Sequence, residues 1–130
     1  MTLALEGVGL KVGSAVHLDG IDLALAPGSV TVLLGPTLSG KTSLLRVMAG
    51  LDRPTEGRVL VDGRDVTGVG VRRRNVAMVY QQFVNYPSLT VYENIASPLR
   101  LSRRLDAAEI DRRVRATAET MHIESLLDRL

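Results

Sequence analysis

Residues 35–42 read Gly35-Pro36-Thr37-Leu38-Ser39-Gly40-Lys41-Thr42. This stretch satisfies every fixed position of the G-x-x-x-x-G-K-[ST] pattern, in which backbone N–H groups surround phosphate. The apolar run at 29–34 predicts a buried strand before the loop, and the stretch from 41 to 49 predicts a helix after it. Strand, loop and helix therefore follow one another in the order that a nucleotide triphosphate site requires.

Each residue type in this loop has its own chemical reason. Gly35 and Gly40 have no side chain, so backbone N–H groups can approach phosphate oxygens. Lys41 is expected to reach the β- and γ-phosphates, and Thr42 to bind the Mg²⁺ that bridges them. Ser43 offers a second hydroxyl close by. The pattern favours a phosphate site over an ordinary glycine turn before a helix.

Composition narrows the class of protein. The chain has 130 residues, of which 45% are hydrophobic, enough for the core of about one domain. Its net charge of +2 provides no strong field for nucleic acid, so we expect no nucleic-acid partner. There is no cysteine, which excludes disulfides and thiolate metal sites. The N-terminus does not resemble a secretory signal, and no apolar run is long enough to span a bilayer, so membrane association is expected to need a partner.

The patterning predicts β structure first and helices later. Besides the run at 29–34, short strands are predicted at 3–5, 18–25, 58–61 and 76–79. Turns are predicted at Pro27-Gly28 and Asp62-Gly63, and Gly50 is expected to end the helix that begins at Lys41.

Two later segments carry helix-start signals. Thr90 and Glu93 have the spacing of a capping box, and Asp106 and Glu109 repeat it more loosely. The second of these helices is predicted to place four residues along one stripe: Ile110, Val114, Thr117 and Met121.

Taken together, these segments resemble an ATP-binding cassette (ABC) subunit, the motor of membrane transporters. The resemblance rests on the phosphate loop, on the helical continuation at 44–51, and on the segment from Val79-Tyr80-Gln81 to Asn94-Ile95. It covers the whole chain but only the first part of the family's domain. It implies an α/β fold: a partial P-loop NTPase core with an N-terminal antiparallel β region at 1–89, and the start of a helical subdomain at 90–130.

Within the family, the pattern is most similar to the ATPases of bacterial importers for sugars, polyols or glycerol phosphate. The resemblance implies ATP and Mg²⁺ as ligands and a second ATPase subunit in the complete protein. It also implies transmembrane permease subunits as partners, which would place the protein in the cytoplasm at the inner face of the cell membrane.

The resemblance gives Gln81 and its aromatic neighbours their expected roles. Gln81 matches the glutamine of the family's Q-loop, which contacts the metal and attacking water and senses the membrane subunit; an uncharged amide suits a group that moves as the site closes. In the family, the aromatic stretch around it receives a permease helix, so Phe83 and Tyr86 are expected at the partner surface and Tyr80 inside. Packing between the β-rich core and the helical part is the alternative role for some of these rings.

The sequence departs from the family at three points. Val12 stands where adenine is usually stacked on an aromatic ring, so ATP and GTP are expected to bind comparably. Leu38 replaces a usual glycine, so this position has negative φ or the loop is strained. The 130 residues contain neither an apolar strand that ends in Asp-Glu nor the Leu-Ser-Gly-Gly-Gln signature. The segment is therefore expected to bind nucleotide with negligible turnover.

Other hypotheses have weaker support. Asp65-Val66-Thr67-Gly68 could be a GTPase switch, but no Asn-Lys-x-Asp base reader accompanies it, and a turn is favoured. A nucleotide-binding scaffold without turnover and a DNA-repair cassette ATPase remain open. The Arg72-Arg73-Arg74 run is typical of a solvated surface, and His17 and His122 lack metal-ligand spacing.

Overall fold

The structure, a computed structural model, describes residues 1–82 and 84–130. These residues form two compact units, Met1–Val79 and Tyr80–Leu130. The division of function at residue 89 stays a prediction. Across the two described ranges, every helix is too short or too polar to cross a membrane.

The first unit contains a four-stranded antiparallel sheet. Its strands are β1 (Leu3–Val12), β2 (Ala15–Leu25), β3 (Glu56–Val61) and β4 (Arg64–Asp65), in the spatial order β2-β1-β3-β4. The predicted N-terminal β region is thereby confirmed. The hairpin turn between β3 and β4 is also as predicted, because Asp62 and Gly63 both have positive φ, at 48° and 73°.

Helix α1 (Lys41–Ala49) follows the phosphate loop and packs on this sheet. Gly40 is its N-cap residue and Gly50 its C-cap residue. The φ of 79° at Gly50 lets the Gly50 N–H donate to the carbonyls of Arg46 and Val47. The core between helix and sheet consists of Leu5, Val8, Leu10, Leu18, Leu44, Val47 and Val59. Burying such side chains stabilises the unit by about 1.5–3 kcal/mol each.

Two predicted buried strands are wrong. The run at 29–34 is not a strand, and its side chains are largely exposed: 94% for Val30 and 86% for Leu34. The run at 76–79 is not a strand either, and Val79 is 96% exposed. A β-strand needs a hydrogen-bonded neighbour, and within the described residues neither run joins the sheet. The apolar residues of these runs favour a β-strand, but their sequence does not show whether a neighbouring strand is present.

The second unit contains helices α2 (Val91–Ser102) and α3 (Ala107–Met121), followed by a 3-10 turn at Glu124–Leu126. The capping box at the start of α2 is confirmed: the Glu93 N–H donates to Thr90 Oγ1 at 3.2 Å, and the Thr90 N–H donates to Glu93 Oε2 at 2.9 Å. At the start of α3, Asp106 Oδ1 accepts from the Glu109 N–H at 2.8 Å.

Half of the stripe predicted along α3 is wrong. Ile110 and Val114 are buried as predicted, but Thr117 and Met121 are exposed, and Ala118 continues the buried face. The contact with α2 therefore follows one row of residues spaced four apart, which is narrower than the predicted stripe.

Charged side chains along α3 form ion pairs, as its alternating charges indicated. Glu109 accepts from Arg112 at 2.7 Å and from Arg113 at 2.6 Å, and Asp111 accepts from Arg115 at 2.9 Å. The two arginines lower the pKa of Glu109 to about 2, with the Arg112 hydrogen bond as the larger cause.

Candidate nucleotide-binding site

Both fixed glycines of the phosphate loop have a steric reason. Gly40 has a φ of 85°, and a Cβ there would lie 2.6 Å from the carbonyl oxygen of His17 on β2. At Gly35 a Cβ would lie 2.8 Å from Ser39 Oγ. Side chains at these positions would push the loop away from β2 or apart internally, so glycine sets the curvature of the loop.

Lys41 folds back over the loop that precedes it. Its ammonium donates to the carbonyl of Gly35 at 2.8 Å, to the carbonyl of Pro36 at 2.5 Å, and to Ser39 Oγ at 3.3 Å. The positive charge that the sequence assigned to phosphate is thus positioned at the centre of the loop. These contacts join Lys41 to Gly35, Pro36 and Ser39, and the role of the loop in binding phosphate stays a prediction.

The start of α1 presents backbone donors. Gly40 cannot cap the helix with a side chain, and the first intrahelical bond runs from the Leu44 N–H to the Gly40 carbonyl at 2.8 Å. The N–H groups of Lys41, Thr42 and Ser43 precede this bond, so they have no acceptor within the helix. Uncapped N–H groups and the positive end of the helix dipole favour an anion. The exposed hydroxyl of Thr42 is in the same turn.

The sequence left open whether Leu38 has negative φ or strains the loop, and the structure answers this question. The φ of Leu38 is 65° and its side chain is 98% exposed. The loop is therefore strained at this residue, because the left-handed conformation of a non-glycine residue costs roughly 1–2 kcal/mol. No burial of the leucine side chain offsets that strain.

Val12 and Gln81 are two further predicted site residues. Val12, predicted on the adenine side, ends β1 and is 57% exposed. Gln81 is exposed and belongs to the second unit, so its part in the site stays a prediction. Phe83 lies outside the described residues.

The surface around Tyr86 is described in the second unit. Tyr86 is 60% exposed, and Asn94 holds its backbone by accepting from the Tyr86 N–H at 2.8 Å and donating to its carbonyl at 3.0 Å. Tyr80, expected inside, is 38% exposed. The segment thus presents a tyrosine ring on a backbone fixed by α2.

Sequence reasoning missed Arg74. The arginine run was expected to be solvated, and Arg72 and Arg73 are exposed, but Arg74 is only 4% exposed. Its guanidinium donates to five backbone carbonyls: those of Val47, Met48, Val66, Thr67 and Val69. Burial lowers the pKa of Arg74 from its ordinary value, and the nearby Asp65 charge opposes that effect.

Arg74 links the last turn of α1 to the loop after β4, because its acceptors lie in both. A Cβ on Gly50 would collide with the Arg74 guanidinium. The glycine after α1 therefore has a second role besides ending the helix. Helix α1 is held at its C-terminal end by a cation that neither periodicity nor motif spacing indicated.

The segment read as a possible GTPase switch is a turn. The Thr67 N–H and hydroxyl both donate to Asp65 Oδ1, at 2.9 and 2.6 Å, and these bonds lower the pKa of Asp65. Among residues 1–82 and 84–130, no cluster of three or more carboxylates and histidines could hold a metal. That the Thr42 hydroxyl binds Mg²⁺ stays a prediction.

Comparisons with known proteins agree with this geometry. The ABC transporter family model matches residues 18–130. A sulfate/thiosulfate import ATP-binding protein of Mesostigma viride is 36% identical over 126 residues, which cover 97% of this chain and 36% of that protein. An alpha-glucoside transport ATP-binding protein of Rhizobium meliloti is 40% identical over 128 residues, covering 98% and 35%.

A solved dimeric ATP-binding cassette, bound to ADP and Pi, superposes with a TM-score of 0.85 at 27% identity, covering 97% of this chain and 60% of that one. The fold and the loop thus define a cassette of the P-loop NTPase class, which confirms the predicted α/β fold class. The chain belongs to the ABC transporter family. It spans about 36% of the length of the curated relatives it matches.

Proposed function

We propose that this chain is the N-terminal, nucleotide-binding part of an importer's ATP-binding subunit and that its phosphate loop binds Mg-ATP. One observation carries the proposal. The Lys41 ammonium lies at the centre of a loop whose glycines exclude side chains, directly before a helix start without a side-chain cap. This combination of one cation and several backbone donors suits a negatively charged polyphosphate.

ATP binding exchanges the contacts of Lys41. The ammonium leaves the carbonyls of Gly35 and Pro36 and donates to phosphate oxygens, so that both partners of each hydrogen bond carry a charge. The N–H groups at the start of α1 donate to the same phosphates. Thr42 supplies a hydroxyl ligand for Mg²⁺. Ser43 is the second hydroxyl of this turn.

Hydrolysis needs groups that position water and neutralise developing charge. In the complete subunit, Gln81 orients the attacking water and contacts the metal. The 130 residues contain no Asp-Glu strand to activate that water. We therefore infer that this segment binds Mg-ATP with negligible turnover and that the complete subunit is the ATPase. The dimeric cassette among the structural relatives supports pairing with a second subunit.

Permease subunits are the proposed membrane partners, docked through the Phe83 and Tyr86 region. The 60% exposure of Tyr86 on a backbone fixed by Asn94 supports this surface, because exposed aromatic rings are frequent interface anchors. Docking would hold the subunit at the cytoplasmic face of the membrane.

The proposed solute is a sugar, a polyol or glycerol phosphate. The alpha-glucoside transport relative supports a sugar, while the sulfate/thiosulfate import relative has similar identity and favours an inorganic anion. Uptake of labelled α-glucoside and of labelled sulfate by the assembled importer separates the two. Uptake of sulfate alone would contradict the proposed solute without affecting ATP binding.

The site itself is tested by calorimetric titration of ATP with and without Mg²⁺, on wild type and on Thr42→Val. Wild type is expected to bind ATP more tightly with Mg²⁺, and Thr42→Val to lose only that Mg²⁺-dependent gain. Thr117→Val, at an exposed helical threonine in the other unit, serves as the matched control. Absence of ATP binding to the folded wild type, or an unchanged Mg²⁺ effect in Thr42→Val, would contradict the assignment.

A further inference from the structure

His17 lies beside the helix that follows the phosphate loop. Its Nδ1 is 3.4 Å from Ser43 Oγ in the first turn of α1, and its ring is exposed. Its backbone carbonyl is the atom that a Cβ on Gly40 would meet. Strand β2 therefore runs against the loop at this residue. The His17 carbonyl therefore lies close to Gly40 and its imidazole lies close to Ser43, which places His17 next to the proposed phosphate site.

His17 is also the only conjugated ring in the first unit. No Phe, Tyr or Trp precedes Tyr80, and the other histidine of the chain is His122. The hairpin register pairs Lys11 with Val16 and Val12 with Ala15, so Val12 and His17 share the same end of the β1–β2 hairpin. The ring that the family pattern lacks at Val12 is thus present a few residues further along the same hairpin.

The ribose and base of a nucleotide are joined covalently to its phosphate chain. A triphosphate held by the loop must therefore place its nucleoside on the adjoining surface. On the described surface of the first unit, the exposed imidazole beside Ser43 is the one planar π-face at the loop. Histidine rings stack on nucleic-acid bases as other aromatic rings do.

We propose that the imidazole face of His17 stacks on the base of the bound nucleotide and that Ser43 orients the ring. This inference rests on the proposed nucleotide binding and adds a specificity-determining residue to that site. Stacking on a single ring does not distinguish adenine from guanine, so comparable binding of ATP and GTP is still expected. It does distinguish a nucleoside triphosphate from the phosphate chain alone.

The test compares ATP with inorganic tripolyphosphate, each titrated calorimetrically into the 130-residue chain. His17→Ala is expected to weaken ATP binding about 10-fold, in line with base–aromatic stacking, and to leave tripolyphosphate binding unchanged. His17→Phe, which keeps a planar face but loses the Ser43 contact, is expected to retain more of the ATP affinity than His17→Ala. Val16→Ala, at the exposed strand neighbour, is the matched control.

The outcomes distinguish a failure of base stacking by His17 from a failure of nucleotide binding by the loop. If ATP binds and His17→Ala leaves its affinity unchanged, the stacking role is wrong while the phosphate site stands. An equal loss for ATP and tripolyphosphate would also overturn it, because His17 would then act on the loop and not on the base. If wild type binds neither compound, the proposed function itself fails.

Discussion

Arg74 gives the sharpest prediction about stability. The variant Arg74→Met keeps an apolar stem of similar length but removes all the guanidinium donors. Five backbone carbonyls then lose a hydrogen bond, two in the last turn of α1 and three in the loop after β4. The first unit is expected to lose the connection between these two segments.

The magnitude follows from those bonds. A buried polar group left without its partner costs about 1–3 kcal/mol. Only the bond to the Val47 carbonyl is fully buried, and the other four are partly buried, so water can replace part of them. We expect a total of about 3–5 kcal/mol, because the buried Val47 carbonyl loses its partner outright and each of the other four carbonyls loses part of its hydrogen bonding. That is a large part of a typical domain stability of about 5–15 kcal/mol.

Urea unfolding followed by circular dichroism, together with hydrogen exchange of α1 amides, measures this effect. Arg73→Met is the matched control, because Arg73 is exposed and surface changes stay within about 0.5 kcal/mol. Arg74→Lys keeps the charge without the planar fork and should recover only part of the loss. Equal unfolding midpoints and equal α1 exchange in Arg74→Met and Arg73→Met would refute the reasoning.

Three further predictions follow from single residues. Gly40→Ala should lower the thermal midpoint by several degrees and weaken ATP binding, because its Cβ meets the β2 backbone, whereas Gly68→Ala, where a Cβ meets nothing, should change neither. Leu38→Gly should raise affinity for tripolyphosphate several-fold if strain at positive φ opposes binding; unchanged affinity would show that it does not. The pKa of Glu109 is lowered, so its stabilising contribution is present above about pH 4.5 and lost as pH falls toward 2. A carboxyl NMR titration checks this value, and Glu109→Gln should flatten the acid stability profile while Glu119→Gln does not.

The sequence predicted the parts of the fold that depend on local rules. The loop, the ends of α1 and the β3–β4 turn depend on residues that tolerate positive φ, namely Gly40, Gly50 and the Asp62-Gly63 pair. The start of α2 depends on a side chain and a backbone N–H three residues apart. Such features need no knowledge of distant contacts, so motif spacing was sufficient.

The missed features all depend on partners remote in sequence. The runs at 29–34 and 76–79 have strand-forming residues, but strand formation requires a neighbouring strand, which periodicity does not reveal. Arg74 is buried because carbonyls 26 and 27 residues away accept hydrogen bonds from its guanidinium. The contact between His17 and Ser43 was missed because Ser43 lies 26 residues further along the chain. For both side chains, charge or ring type alone indicated an ordinary surface residue.

Calorimetric titration of Mg-ATP into wild type, Lys41→Ala and Lys11→Ala measures whether the Lys41 ammonium binds the phosphates of ATP. Lys11 and Lys41 are the only lysines of the chain, and Lys11 pairs with Glu56 at 2.8 Å on the sheet, which makes it a matched charge control. Loss of charge-assisted bonds of about 1.5–3 kcal/mol predicts at least about tenfold weaker binding for Lys41→Ala and unchanged binding for Lys11→Ala. Equal affinity in Lys41→Ala and wild type would contradict the account, because the phosphates would then be held elsewhere.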